Sequence, residues 1–325
     1  MRTRAEERWA VPVPVPDAVP VPETLPVPDG RRVDLWLLRC PGPGTPPGPH
    51  VRPDSHVRAG PHVRADTRVR PDPDVRPDPD PLADPGVLDV LDAAERKRAA
   101  SLRRPADRAL YVASHLALRT LLGAYLRVPA REVVLVREPC PGCGGPHGRP
   151  AVPGTPPPLH FSLSHSHGLA LIGVAAVPVG VDVQRVPGPG TVDACAPSLH
   201  PAERAELERL PPGARPGAFA QLWARKEAYL KGIGTGLSRP ASADYLGADT
   251  RSRPHGWTVT DLPRADGHTA AVAVLGTAPP APAVRRLPVR LTSPHRLTTM
   301  HQAANDHEPT DQLARQPEGT HEETA

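Results

Sequence analysis

Glu227 and Lys231 stand four and eight residues after Trp223, on an apolar stripe that Phe219, Leu222, Trp223, Leu230 and Ile233 mark out at helical spacing. A carboxylate and an ammonium therefore occupy positions where leucine would be expected. About forty residues earlier, Val179-Gly180-Val181-Asp182-Val183-Gln184 puts one acid among valines on a predicted strand. Asp182 and Gln184 are two apart, so they share a face of that strand. A buried carboxylate is costly without a cation or hydrogen bonds to compensate it, and two such acids suggest a shared metal. Magnesium takes one or two carboxylates, keeps several waters and binds substrate phosphate, which suits Asp182, Glu227 and Gln184 as ligands. Lys226 and Lys231 flank Glu227, and their natural roles are to bind phosphate and tune the acid. The competing reading makes Asp182 a turn-capping residue and lets both lysine stems cover apolar surface with their heads in water.

A second constellation is Leu159-His160-Phe161-Ser162-Leu163-Ser164-His165-Ser166-His167-Gly168, a strand that runs into a polar turn. Ser164 and His165 lie at its exit, where a hydroxyl, an imidazole and backbone donors converge on a phosphate. His165 and His167 could instead ligate a transition metal, or the segment could be a satisfied structural turn. Upstream, Cys140-Pro141-Gly142-Cys143-Gly144-Gly145-Pro146-His147-Gly148-Arg149-Pro150 offers one Cys-x2-Cys and a histidine. That is one ligand short of a structural zinc site, and no second pair stands at a standard spacing, so metal binding there stays open. The glycines suit a loop that brings Arg149 close to an anion. Gly232-Ile233-Gly234-Thr235-Gly236 follows a helix instead of opening one, so it is not a phosphate-cradling loop.

These residues need a scaffold, and composition limits how much of the chain supplies it. With 48 prolines and 3% aromatic residues in 325, the folded part is smaller than the chain. The sequence predicts a strand over 33–38 and helices over 87–102 and 107–126. Strands are expected over 132–137, 159–163, 169–176 and 179–184, helices over 201–210 and 216–231 with Gly232 closing the second, and strands over 257–262 and 269–275. The reading is α+β: 33–40 with 86–177 as one subdomain and 178–276 as a second that carries the metal site. Residues 1–32 (Val-Pro repeats), the low-complexity insertion 41–85 and the tail 277–325 are expected to be disordered. No run of about 18 apolar residues predicts a membrane span, no apolar signal core follows the charged N-terminus, and four scattered cysteines fit a reducing compartment. A cytoplasmic protein is expected. The stretch 297–325 carries a net −5, leaving +9 for the rest of a chain whose total is +4, so an anionic partner is favoured. Aromatics are scarce and not interleaved with the arginines, which argues against nucleic acid.

Taken in order, Gly148-Arg149-Pro150, Phe161-Ser162-Leu163-Ser164-His165-Ser166, Val179-Gly180-Val181-Asp182-Val183 and Trp223-Ala224-Arg225-Lys226-Glu227-Ala228-Tyr229-Leu230-Lys231 resemble the motifs of the 4′-phosphopantetheinyl transferase superfamily. The likeness is to its larger monomeric type, which activates polyketide and nonribosomal peptide synthetases. It implies a pseudo-two-fold pair of similar α+β subdomains and transfer of phosphopantetheine from coenzyme A to a serine of an apo acyl or peptidyl carrier protein. It also implies magnesium at Asp182 and Glu227, Ser164 and His165 at the nucleotide's 3′-phosphate, Arg149 and Lys231 on the cofactor's phosphates, and Arg98 as a further phosphate contact. Where the family commonly has Glu, this chain has Gln184. Rival readings are a metal-dependent hydrolase using His165, His167 and Asp182, and a decayed module that binds coenzyme A or carrier proteins without turnover.

Overall fold

Strand alternation in β1 (Val33–Arg39) divides the protein into layers: Val33 and Leu35 enter one apolar core, while Trp36 and Leu38 enter another on the opposite face. The computed structural model describes residues 21–29, 32–40, 85–265, 267–276 and 284–287. β1 pairs antiparallel with β5 (Leu169–Ala175), which pairs antiparallel with β4 (His160–Ser166). A short strand β9 (Val284–Leu287) runs parallel to β1 on its other side, giving the order β4-β5-β1-β9. One face of this sheet carries the long helix α3 (Pro105–Leu126), through Trp36, Phe161, Ile172 and Val174 against Ala117, Leu121 and Leu122. Its other face packs on a second sheet, β6-β8-β7, made of β6 (Val179–Arg185), β8 (His268–Leu275) and β7 (Trp257–Ala265). The outer face of that sheet carries α6 (Arg215–Ile233), with Phe219, Leu222, Ala224 and Ala228 against Val259, Ala271 and Ala273. The order is helix, sheet, sheet, helix, an α+β architecture in which β5 is buried along its whole length because both its faces are covered.

The two sheets meet at a seam that backbone pairing does not make. Ser162, Ser164 and Ser166 alternate along β4, and their hydroxyl oxygens accept the N–H groups of Val181, Val183 and Arg185 at 3.0, 3.3 and 3.3 Å. The constant offset of 19 residues means that β4 and β6 run parallel, edge to edge. Edge N–H groups that would otherwise lack partners are satisfied by side chains. The serines thus lock the register of the two sheets.

Several elements depart from the sequence expectation. The helix expected over 87–102 is two helices, α1 (Pro85–Val90) and α2 (Ala93–Ser101), because Asp92 caps α2 in a capping box with Glu95. The strand expected over 132–137 is a turn of 3-10 helix, Ala130–Glu132, and a two-residue strand β2 (Val136–Arg137) paired with β3 (Pro150–Ala151). Helix α4 (Pro189–Cys195) was not expected, and α5 spans Pro201–Glu208. α6 continues past Gly232 to a left-handed cap at Gly234, φ 80°, whose N–H donates to Leu230 and Lys231 carbonyls. Leu25, in the segment expected to be disordered, is buried, and its N–H donates to the Ala124 carbonyl. Likewise β9 lies within the stretch expected to be a disordered tail, and buries Leu287. The insertion 41–85 lies, except for Pro85, outside the described residues.

Among the described helices only α3 is long and apolar enough to cross a bilayer. Its apolar surface is instead taken up by the sheet, and it carries a buried charge. Arg119 is 2% exposed, with Nε 2.7 Å from Glu95 Oε2, Nη2 2.7 Å from Asp92 Oδ2 and Nη1 donating to the Val133 carbonyl at 2.8 Å. This network ties α2 to α3.

Candidate active site

β6 and α6 approach so closely that only glycine fits between them. A Cβ on Gly180 would lie 1.9 Å from the Ala228 carbonyl oxygen, and one on Gly232 would lie 2.6 Å from the Trp257 ring. The close packing brings the β6 face that holds Gly180, Asp182 and Gln184 onto the helix stripe of Glu227 and Lys231. Lys231 Nζ is 2.6 Å from Asp182 Oδ1 and also donates to the Val181 carbonyl at 3.2 Å. Ser164 donates to the same carboxylate oxygen at 2.7 Å. Asp182 Oδ2 is buried and has no hydrogen-bond partner. Desolvation, then the Asp182 charge, push the Glu227 carboxyl above the usual range, with Lys231 opposing. Two carboxyls share this corner with one ammonium, which leaves excess negative charge and an unused buried oxygen. The donors are hard oxygens, with the Gln184 amide on the same face, so the corner fits a magnesium ion.

Lys231, which closes this corner, also lines a cleft of about 730 Å³, whose wall does not include Asp182 or Glu227. A volume of this size suits a cofactor-sized ligand. Arg98, Arg137, Arg149 and Lys231 contribute to its wall beside Asp92, Glu95 and the imidazoles of His115 and His165, so cations outnumber acids in the lining. Arg149 reaches it from β3's approach and is fixed to α6, because its Nη1 donates to the Gly232 carbonyl at 2.9 Å. Its Nε lies 2.7 Å from Glu138 Oε2, an ion pair too poorly aligned to count as a hydrogen bond. His165 stands at the exposed lip, edge-on to Tyr111. Desolvation and the nearby His115 and Lys231 hold its pKa below the usual imidazole value. Glu95 lies deeper in the wall. Burial opposes its charge, but the hydrogen bond with His115 and the Asp92 N–H outweigh that, and its pKa falls.

The structure thus gathers Asp182, Glu227, Lys231, Arg149, His165 and Arg98 around one cleft and corner. It treats three other sequence candidates differently. Lys226 is turned to the far side of α6: Nζ is 2.7 Å from Glu203 Oε2 and donates to the Ala241 and Asp244 carbonyls, each at 2.7 Å. It neither meets the cleft nor snorkels to water. Ser164 does not line the cleft either, because its hydroxyl is spent on Asp182 and the Val183 N–H. In this position it orients the acid. His167 adopts φ 44° in the turn after β4, beside Ser166 and His268, and among the described residues His165, His167 and Asp182 form no ligand cluster. Sequence reading missed Arg137, His115 and Ser162 in the cleft wall. The alternation of serines in β4 was a visible signal for Ser162; nothing local marks His115, which α3 presents only once the helix is docked.

Comparison with known proteins falls on the same residues. The family model described as "4'-phosphopantetheinyl transferase superfamily" matches residues 178–273, which span β6, α6 and β8. The chain is therefore similar to that superfamily over the segment that carries Asp182, Glu227 and Lys231, as its motifs indicated. A "4'-phosphopantetheinyl transferase" of Bacillus subtilis is 32% identical over 122 residues, 38% of this chain and 51% of the relative. A "putative 4'-phosphopantetheinyl transferase" of Synechocystis sp. is 32% identical over 47% of this chain and 61% of its own length. "4'-phosphopantetheinyl transferase HetI" of Nostoc sp. is 29% identical over 57% of this chain and 79% of its own. The chain spans between half and two thirds of the first two relatives it matches.

Proposed function

We propose that the protein is a cytoplasmic, monomeric transferase that moves 4′-phosphopantetheine from coenzyme A to a serine of apo acyl or peptidyl carrier proteins, of the kind found in polyketide and nonribosomal peptide synthetases, with adenosine 3′,5′-bisphosphate as the other product. One observation carries the reading: the partnerless, buried Asp182 Oδ2 beside Glu227, joined through Lys231 to a cleft of about 730 Å³ in which arginines and lysine outnumber acids. Named transferases that match part of the chain support it, as does the superfamily match over 178–273. The two halves, one a mixed and one an antiparallel sheet, each backed by one long helix, also suit the pseudo-two-fold pairing of this superfamily.

In this reading Asp182 and Glu227, with Gln184 beside them, would hold magnesium, which would supply charge neutralisation when bound. Arg149 and Lys231 bind phosphate oxygens, and Arg98 and His165 serve the nucleotide's outer phosphate. The carrier serine oxygen attacks the β-phosphorus, and its proton passes to the Glu227 carboxylate. The phosphoanhydride bond breaks, and Lys231 stabilises the charge that develops on the departing bisphosphate.

The test is to incubate the protein with coenzyme A, magnesium and a panel of apo carrier proteins, and follow intact mass. Addition of one phosphopantetheine to the carrier serine is expected. No addition on any carrier, with a known transferase active in parallel, would replace this reading with the non-catalytic binding module.

A further inference from the structure

We infer that Cys140, Cys143 and His147 hold a zinc ion at the tip of the β2–β3 hairpin, with water in the fourth position. The two sulfurs and a ring nitrogen of His147 lie within 4.8 Å of one another, and Cys143 Sγ is 2.9 Å from His147 Nε2. With Zn–S near 2.3 Å and Zn–N near 2.0–2.1 Å, tetrahedral ligands sit about 3.4–3.8 Å apart. Closing the wider gaps and opening the shortest one needs only side-chain adjustment.

The turn itself is shaped for convergence. The Gly144 N–H donates to the Cys140 carbonyl and the Cys140 N–H to the Gly145 carbonyl, each at 2.8 Å. Gly144 has φ +72°, a conformation that favours glycine. A Cβ on Gly145 would stand 3.0 Å from the His147 ring and 3.4 Å from Cys143 Sγ, so a side chain there would crowd the ligands. N–H donors from Gly142 and Cys143 point to the Cys140 sulfur, an arrangement that suits a thiolate. Two thiolates and an imidazole are the donor set that selects zinc over hard cations, and three protein ligands plus water is an established zinc coordination.

The loop also connects to the cleft. His147 lines it, the Gly148 N–H donates to the Glu138 carbonyl and the Glu138 N–H to the Arg149 carbonyl, each at 3.0 Å. A metal at the tip would therefore stiffen the arm that carries Arg149. That consequence rests on the transferase reading; the metal itself does not.

The full chain, free of any histidine tag and purified under reducing conditions, is equilibrated with zinc, desalted and analysed by elemental mass spectrometry. One zinc per chain is expected, falling at least tenfold in Cys143→Ser and in His147→Ala. Cobalt loading should add thiolate-to-metal charge-transfer absorption that Cys143→Ser lacks. Less than a tenth of a zinc per chain overturns the site, as does a mass showing Cys140 and Cys143 joined as a disulfide. Zinc retained by both variants assigns it to other histidines and also overturns the site. For the Arg149 arm, Cys143→Ser should raise KM for coenzyme A several-fold with kcat unchanged, and an unchanged KM removes that role. Stoichiometric zinc in a protein without transferase activity would count against the function proposed above and leave the metal site standing.

Discussion

Helix α6 carries two lysine–acid pairs five residues apart, and they have opposite characters. Lys226 and Glu203 are 2% and 0% exposed, and every polar atom is used: Nζ has Glu203 and two carbonyls, while Glu203 also accepts the Leu246 and His200 N–H groups. Lys231 is 30% exposed, and its partner Asp182 keeps one buried oxygen without a donor beside a second carboxyl. The first pair is complete and holds α5, α6 and the 241–244 loop together. The second has coordination left over. Unused valence at a buried charge, and not the ion pair as such, separates a reactive corner from a structural strut.

The largest effect expected at the reactive pair is on turnover. Glu227→Ala and Asp182→Ala should each lower transfer by about 10³-fold or more, since each removes charge stabilisation at the reacting phosphate. Radiolabelled or mass-detected carrier modification measures it, and parental rates for Glu227→Ala would remove that residue from the site. At the strut, Lys226→Met leaves Glu203 buried and unpaired, and should cost about 3–5 kcal/mol in urea unfolding. Its transfer rate per folded molecule should stay near the parental value.

A smaller effect follows from the raised Glu227 pKa. A raised folded-state pKa means that ionisation works against folding: the contribution is fully present below the unfolded value of about 4.3 and is lost as pH rises through the folded value. In the metal-free protein, Glu227→Gln should therefore melt above the parent at pH 8, with the gap closing toward pH 4. A gap that widens on acidification would reverse the assignment. The smallest effect is at Gln184. Gln184→Glu should keep transfer and lower the magnesium needed for half-maximal rate several-fold, measured by metal titration of the assay.

The contrast between the pairs was only half legible in the sequence. Asp182, Glu227 and Lys231 stood out because charge interrupts an apolar strand and an apolar helix stripe, and periodicity alone puts them on inward faces. Lys226 could not be separated from Lys231 in the same way. Which side its stem takes depends on Glu203 and the 241–244 carbonyls, groups that local pattern does not bring near. Ser164 was seen as a polar residue at a strand exit, but its job depends on β4 lying edge to edge with β6, a pairing between two sheets. The strands and helices around the site followed from period 2 and period 3.6 patterning. Boundaries failed where caps decide them, as at Asp92 and Gly234, and β9 was too short and too cationic in sequence to read as a strand.

Asp182→Asn and Lys226→Met, assayed side by side for carrier modification and for urea unfolding, test the central distinction most directly. Asp182→Asn should lose transfer by about 10²–10³-fold while its unfolding free energy stays within about 1 kcal/mol of the parent, because the amide keeps the Ser164 hydrogen bond and relieves the Glu227 charge. Lys226→Met should do the reverse. Equal losses of activity per folded molecule in the two variants, or a stable and inactive Lys226→Met, would contradict the account.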